Sequence, residues 1–177
     1  MRSTALLAAG ASLLTWACSG PQFDATVEGE TTVQGSPLGG ALDALPALGS
    51  FTSLDFDQNQ DFQNQGVSKD EVSSVRLRAL RLRILRPGDQ DFSFLDELSF
   101  YAEAGDQEVL IAERTGIAEL QLDAPNPTLE LRVKGEELQP FVTAPSMSII
   151  VRGKGRVPTG NVTLQAVATF AVQADGI

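Results

Sequence analysis

In residues 75–85 apolar side chains alternate with Arg76, Arg78, Arg81 and Arg83, an order that no amphipathic helix accommodates. A helical turn scatters these four arginines around the circumference, whereas an extended chain turns every second side chain to one face. The arginines change from even to odd positions between Arg78 and Arg81, so one extra residue must intervene. The pattern therefore predicts a strand with a β-bulge near residues 79–80. Pro87, Gly88 and Asp89 then supply turn chemistry that ends it.

Further short alternations predict strands at 98–103, 109–113, 119–122 and 129–133, with turn residues between them. Asp91 stands where it can cap a single helical turn over 91–97. Toward the C-terminus, Met147, Ile149 and Val151 alternate with Ser148, Arg152 and Lys154. After 158–161, Val162, Leu164, Ala166, Ala168, Phe170 and Val172 repeat the pattern. These two runs predict a half-buried antiparallel hairpin. No internal repeat is visible. The expected fold class is all-β: a single antiparallel β-sandwich over 41–177, Ig-like or jelly-roll-like, of roughly seven to nine strands with few or no helices. A partly open barrel reads the same way in sequence.

Composition narrows the chemistry. The chain has no histidine, one cysteine and a formal net charge of −10. Without histidine there is no Ser-His-Asp triad, no Cys-His pair and no His-containing zinc site. The acidic balance opposes nucleic acid or anionic lipid as the main partner. A lone cysteine leaves no intrachain disulfide, so stability must come from apolar burial and hydrogen bonding. The single tryptophan, Trp16, and the single tyrosine, Tyr101, leave few of the aromatic anchors on which sugar and protein recognition lean.

The first residues carry a different signal. Arg2 supplies a positive start, an uncharged run spans 5–14, and Ala17 precedes Cys18. These are the parts of a secretory signal, too short to span a bilayer, which takes roughly 20 apolar residues. The stretch from Leu14 through Thr15, Trp16 and Ala17 to Cys18 resembles the lipobox of bacterial lipoproteins. The resemblance covers the signal alone. It implies a signal peptide over 1–17, cleavage before Cys18, and acylation of Cys18, with palmitate among the expected chains. By the family's sorting rule, Ser19 implies an outer-membrane destination. Two or three acyl chains anchor a domain where one does not, and an odd cysteine in an exported protein is otherwise unexplained. The alternative is cleavage after Ala17 that frees a periplasmic or secreted chain. Residues 18–40, mixed in Gly, Pro, Ser, Thr and acids, are expected to form a flexible tether, with one short strand at 25–27.

Three residue groups are candidates for chemistry. Asp55, Asp57, Asn59 and Asp61 place oxygen side chains at alternate positions, as the start of a calcium loop does. Gln60 stands where that loop needs glycine and Gly66 where it needs glutamate. The plainer reading is an acidic connection whose Phe51, Leu54, Phe56 and Phe62 feed the core. Arg76, Arg78, Arg81 and Arg83, with Arg152, Lys154 and Arg156, form two basic stripes. Together they can bind an anionic glycan or a lipopolysaccharide headgroup; the plainer reading is solvent-facing cations paired with cross-strand acids such as Glu103, Glu108 and Glu113. Asp89, Asp91, Asp96 and Glu97 are the carboxylates that a glycan hydrolase would draw on, although it needs two at a defined separation. Gly153, Lys154 and Gly155 do not meet the phosphate-loop pattern. The expected function is a lipid-anchored envelope protein, a non-enzymatic structural or binding module without a cofactor. A calcium-dependent adhesion module and a carboxylate hydrolase are the alternatives. Its expected partner is the membrane, through the N-terminal lipid; no nucleic acid is expected, and any protein or glycan partner is unspecified.

Overall fold

A computed structural model of the chain describes residues 20–175, so the expected export signal and Cys18 lie outside the described residues. The strands are β1 (Gln22–Val33), β2 (Ala41–Leu42), β3 (Val72–Arg86), β4 (Leu95–Ala104), β5 (Gln107–Thr115), β6 (Thr128–Glu130), β7 (Arg132–Val133), β8 (Ser148–Arg156) and β9 (Val162–Ala174). Two short helices, α1 (Gln60–Gln65) and α2 (Gln139–Val142), interrupt the connections. One sheet runs β1-β9-β3-β6 and the other β2-β8-β4-β5-β7. Every pairing is antiparallel. Taking β6 and β7 as one strand that changes sheets, this order is that of an eight-stranded jelly roll. The all-β sandwich expected from the alternation is the fold.

The core lies between the sheets. Along β3, Val75, Leu77, Leu80, Leu82 and Ile84 are buried while Arg76, Arg78, Arg81 and Arg83 are exposed. The register of β3 on β9 shifts between Leu77 and Ala79, one step before the expected bulge. That extra residue keeps all four arginines on the outer face. Phe100 of β4 and Phe170 of β9 are fully buried within this core. At Gly155 of β8 an added Cβ would lie 2.2 Å from the carbonyl oxygen of Phe94, so the backbones approach where only glycine fits.

The structure departs from the sequence expectations in five places. The segment expected as a tether, 18–40, contains β1, which pairs residue for residue with β9 from Gln22↔Gln173 to Val33↔Val162. Its composition is polar because Asp24, Thr26, Glu28 and Glu30 face outward, while Ala25, Val27 and Val33 are buried. The C-terminal hairpin does not form: β8 and β9 belong to different sheets, and 157–161 crosses between them. Alternation shows that a strand has a buried face but not which strand lies beside it. Residues 129–133 divide between β6 and β7 in opposite sheets. The strand expected at 119–122 is instead a 3₁₀ turn over Ile117–Leu120, entered through Gly116 in the left-handed region. At 91–97 no helical turn forms; Asp91 accepts hydrogen bonds from the Ser93 amide and hydroxyl, and β4 starts at Leu95.

Candidate functional site

The acidic connection between β2 and β3 packs along β1. Phe51, Phe56 and Phe62 are fully buried, and Phe56 meets Phe170 edge-on at 5.6 Å between ring centroids. Gly29 of β1 makes room, since a Cβ there would stand 3.0 Å from the Phe51 ring. The polar residues between these anchors are committed to local structure. Asp55 caps the 3₁₀ turn Phe56–Gln58 through the Asp57 amide, and Asn59 caps α1 through the Asp61 amide.

The four residues of the calcium expectation do not converge. Asp55 and Asp57 turn to Lys69, whose ammonium lies 3.7 and 4.0 Å from their oxygens and 3.1 Å from the carbonyl of Ala144. Asp57 also accepts the Lys69 amide at 2.8 Å. Asn59 and Asp61 turn the other way, onto Thr26 of β1. Among the described residues, no group of three or more acids, histidines or cysteines could hold a metal ion. The physical reason is competition: an Asp or Asn at a turn start satisfies a nearby amide first. Sequence reading missed Lys69, because an ammonium twelve residues beyond Asp57 carries no spacing signal.

The two basic stripes lie on the outer faces of different sheets, β3 in one and β8 in the other, so they form no joint site. Within each sheet the cations meet acids across strands. Arg76 pairs with Glu137 at 3.3 Å, Arg78 with Asp24 at 2.7 Å and Arg81 with Glu130 at 3.2 Å. Arg83 donates to Gln165, which donates in turn to Glu28, a relay over three strands. On the other sheet Arg152 meets Glu108 at 2.6 Å and lies 4.2 Å from the centre of the Tyr101 ring. Its guanidinium pKa rises, chiefly through the hydrogen bond to Glu108. Lys154 faces Glu97 at 3.5 Å, and Arg156 sits exposed opposite Ala41. A shallow, open cleft of about 530 Å³ lies on the first outer face, with Asp24, Arg76, Arg78 and Ala171 in its lining.

Glu137 is the carboxylate most engaged by the fold. Its two oxygens accept from the Val75 amide at 2.7 Å, the Ser74 hydroxyl at 2.7 Å, the Gln139 amide at 3.1 Å and Arg76 Nε at 3.3 Å. Burial opposes its ionisation, but these donors outweigh it and hold the carboxyl below its ordinary value. Of the hydrolase carboxylates, Asp91 is bound within its own turn, with Ser93 lowering its pKa. Glu97 faces Lys154, and Asp89 and Asp96 are exposed.

No family model and no curated protein matches the chain. Among solved structures, the decameric BFDV capsid protein is 9% identical, covering 87% of this chain and 98% of its own, with a TM-score of 0.40. The 60-mer BFDV capsid protein gives 11% identity over 91% and 96%, with a TM-score of 0.39. Mud crab tombus-like virus gives 11% identity over 99% and 90%, with a TM-score of 0.31. Likeness at this level carries no argument about the role of this chain. The jelly-roll order stands on its own strand pairings.

Proposed function

We propose that the chain is exported and acts as a lipid-anchored, non-enzymatic β-sandwich module of the bacterial cell envelope, held at the outer membrane through acylated Cys18. The observation that carries this reading is positional. The only cysteine closes a signal-like segment and stands four residues before Gln22, the first residue of β1. Four residues reach at most about 14 Å. An acylated Cys18 therefore sets the end of the sandwich formed by Gln22, Gln173 and Ser74 close to the membrane surface. Strands of this length extend roughly 40 Å. The opposite end, with the 34–40 and 157–161 connections and the almost fully exposed Leu38 (97%), is then displayed away from the membrane. The absence of histidine and the cross-strand pairing of the cations favour a module over an enzyme or an anion receptor.

Metabolic labelling with a fatty-acid analogue tests the anchor. Label on the unaltered chain and none on Cys18→Ala is the expected result. Label that persists on Cys18→Ala, or an unlabelled chain cleaved after Ala17, removes the anchored reading and leaves a released module.

A further inference from the structure

The strand that changes sheets leaves a corner open at the edge of β5. Arg132 and Val133 of β7 pair with Glu113 and Ala112, and the Lys134 amide donates to the Ile111 carbonyl. One residue before β7 the chain has already crossed, because the Leu131 amide donates to the Leu80 carbonyl of β3 in the other sheet. Among the described residues, Arg114 and Thr115 therefore have no strand on this side. A cavity of about 140 Å³ occupies the corner, lined by Glu113, Arg114, Thr115 and Arg132. Backbone groups alternate along a strand, so Thr115, like Ile111, turns its amide to this side.

The cross-strand pairing that neutralises the two basic stripes stops here. Among the described residues, neither Arg114 nor Arg132 has an ion pair or a side-chain hydrogen bond, whereas Arg76, Arg78, Arg81, Arg152 and Lys154 all meet acids. Glu113 stands opposite Arg132 in the register, yet its carboxylate holds the Lys134 ammonium. On a chain of formal net charge −10, two arginines beside one neutralised carboxylate are a local excess of positive charge.

We propose that this corner binds a phosphate or sulfate group, with Arg114, Arg132 and the hydroxyl and amide of Thr115 as donors. The guanidinium fork matches the oxygens of such a group. Two arginines, a hydroxyl and an amide offer more donors than the two coplanar oxygens of a carboxylate use, whereas a tetrahedral anion spreads its oxygens among them. The cavity is well below the roughly 300–1,000 Å³ of sites that enclose a whole organic ligand. It therefore takes the anionic group alone and leaves any attached moiety outside. The assignment goes beyond the envelope reading and does not depend on the anchor.

Titration of the full chain with inorganic phosphate and with sulfate, followed by NMR at constant ionic strength in a Cys18→Ser background, tests the site. Saturable shifts of the Thr115 amide and of the Arg114 and Arg132 Nε–H signals are expected. Arg114→Gln and Arg132→Gln should each weaken binding about tenfold or more, the loss of a hydrogen-bonded charge. Arg152→Gln, which removes an arginine already paired with Glu108, should leave it unchanged. Lys134→Gln uncovers the Glu113 charge and should weaken binding, whereas Glu113→Gln should strengthen it. Vesicles of phosphatidylcholine containing phosphatidic acid separate the two sources of the group. Sedimentation of the chain with them, reversed by inorganic phosphate, assigns a lipid headgroup; no sedimentation assigns a soluble phosphate or sulfate. The absence of a saturable shift at tens of millimolar of either ion would overturn the proposal. So would binding that Arg114→Gln and Arg132→Gln leave unchanged, or that Arg152→Gln weakens equally.

Discussion

Arg78 on β3 reaches across β9 to Asp24 on β1, its Nη1 2.7 and 2.9 Å from the two carboxylate oxygens. The contact joins two strands that share no ladder, because β9 runs between them. Ala171, opposite Asp24 in the register, has a side chain short enough to be passed over. The arginine stripe thereby ties the sheet together instead of presenting free positive charge.

A double-mutant cycle with Arg78→Ala and Asp24→Ala measures that tie. Both side chains are well exposed, at 65% and 44%. The expected coupling in urea unfolding is therefore about 0.2–1 kcal/mol, the range of surface pairs, and it should fade at high salt. A coupling that survives high salt would place the pair in a far drier environment than this face provides.

Lys69→Met tests the acidic connection. The lysine side chain is only 14% exposed and serves Asp55, Asp57 and the Ala144 carbonyl together. Its loss should destabilise the fold by about 1–3 kcal/mol, the cost of leaving buried or charged groups unpartnered. Millimolar calcium should leave the melting temperature of the unaltered chain unchanged and raise that of Lys69→Met, where two carboxylates have lost their cation. A calcium-dependent rise in the unaltered chain would show that the loop oxygens are not committed to Lys69.

Glu137 predicts an acid limb in stability. Its carboxyl is lowered in the folded state, so the unfolded chain binds its proton first as pH falls. The stabilisation is present above the unfolded value, about 4.3, and is lost as pH drops through the lower folded value. Glu71, lowered by the Ser68 amide and hydroxyl, and Asp91, lowered by the Ser93 hydroxyl and amide, act with the same sign. Glu137→Gln is expected to melt lower than the unaltered chain at pH 7 and to lose less between pH 5 and pH 3, a comparison made by melting at each pH. Parallel melting curves for the two chains across that range would exclude this role.

Much of the fold was legible because long stretches of β3, β8 and β9 alternate between a buried apolar and a more exposed side chain. The bulge in β3 was readable for the same reason, since a change of parity in the arginines has no other extended solution. The candidate sites were less legible. Asp55, Asp57, Asn59 and Asp61 present the oxygen pattern of a metal loop, yet two turn to Lys69 and two to Thr26. Glu137 and Gln165 gave no signal, because their importance lies in partners dozens of residues away.

By itself the sequence determined that β3, β4, β5, β8 and β9 are strands, that the chain carries no histidine, and that its lone cysteine allows no intrachain disulfide. Local sterics and apolar periodicity act over a few neighbouring residues, and they suffice for that. Tertiary structure alone decided that β1 is an integral strand rather than a tether, and that β8 and β9 part into different sheets. It also decided that the two basic stripes face away from each other and that the acidic connection seals an edge. Each of these depends on which distant backbone or charge meets a given residue, and alternation is the same whichever partner lies alongside.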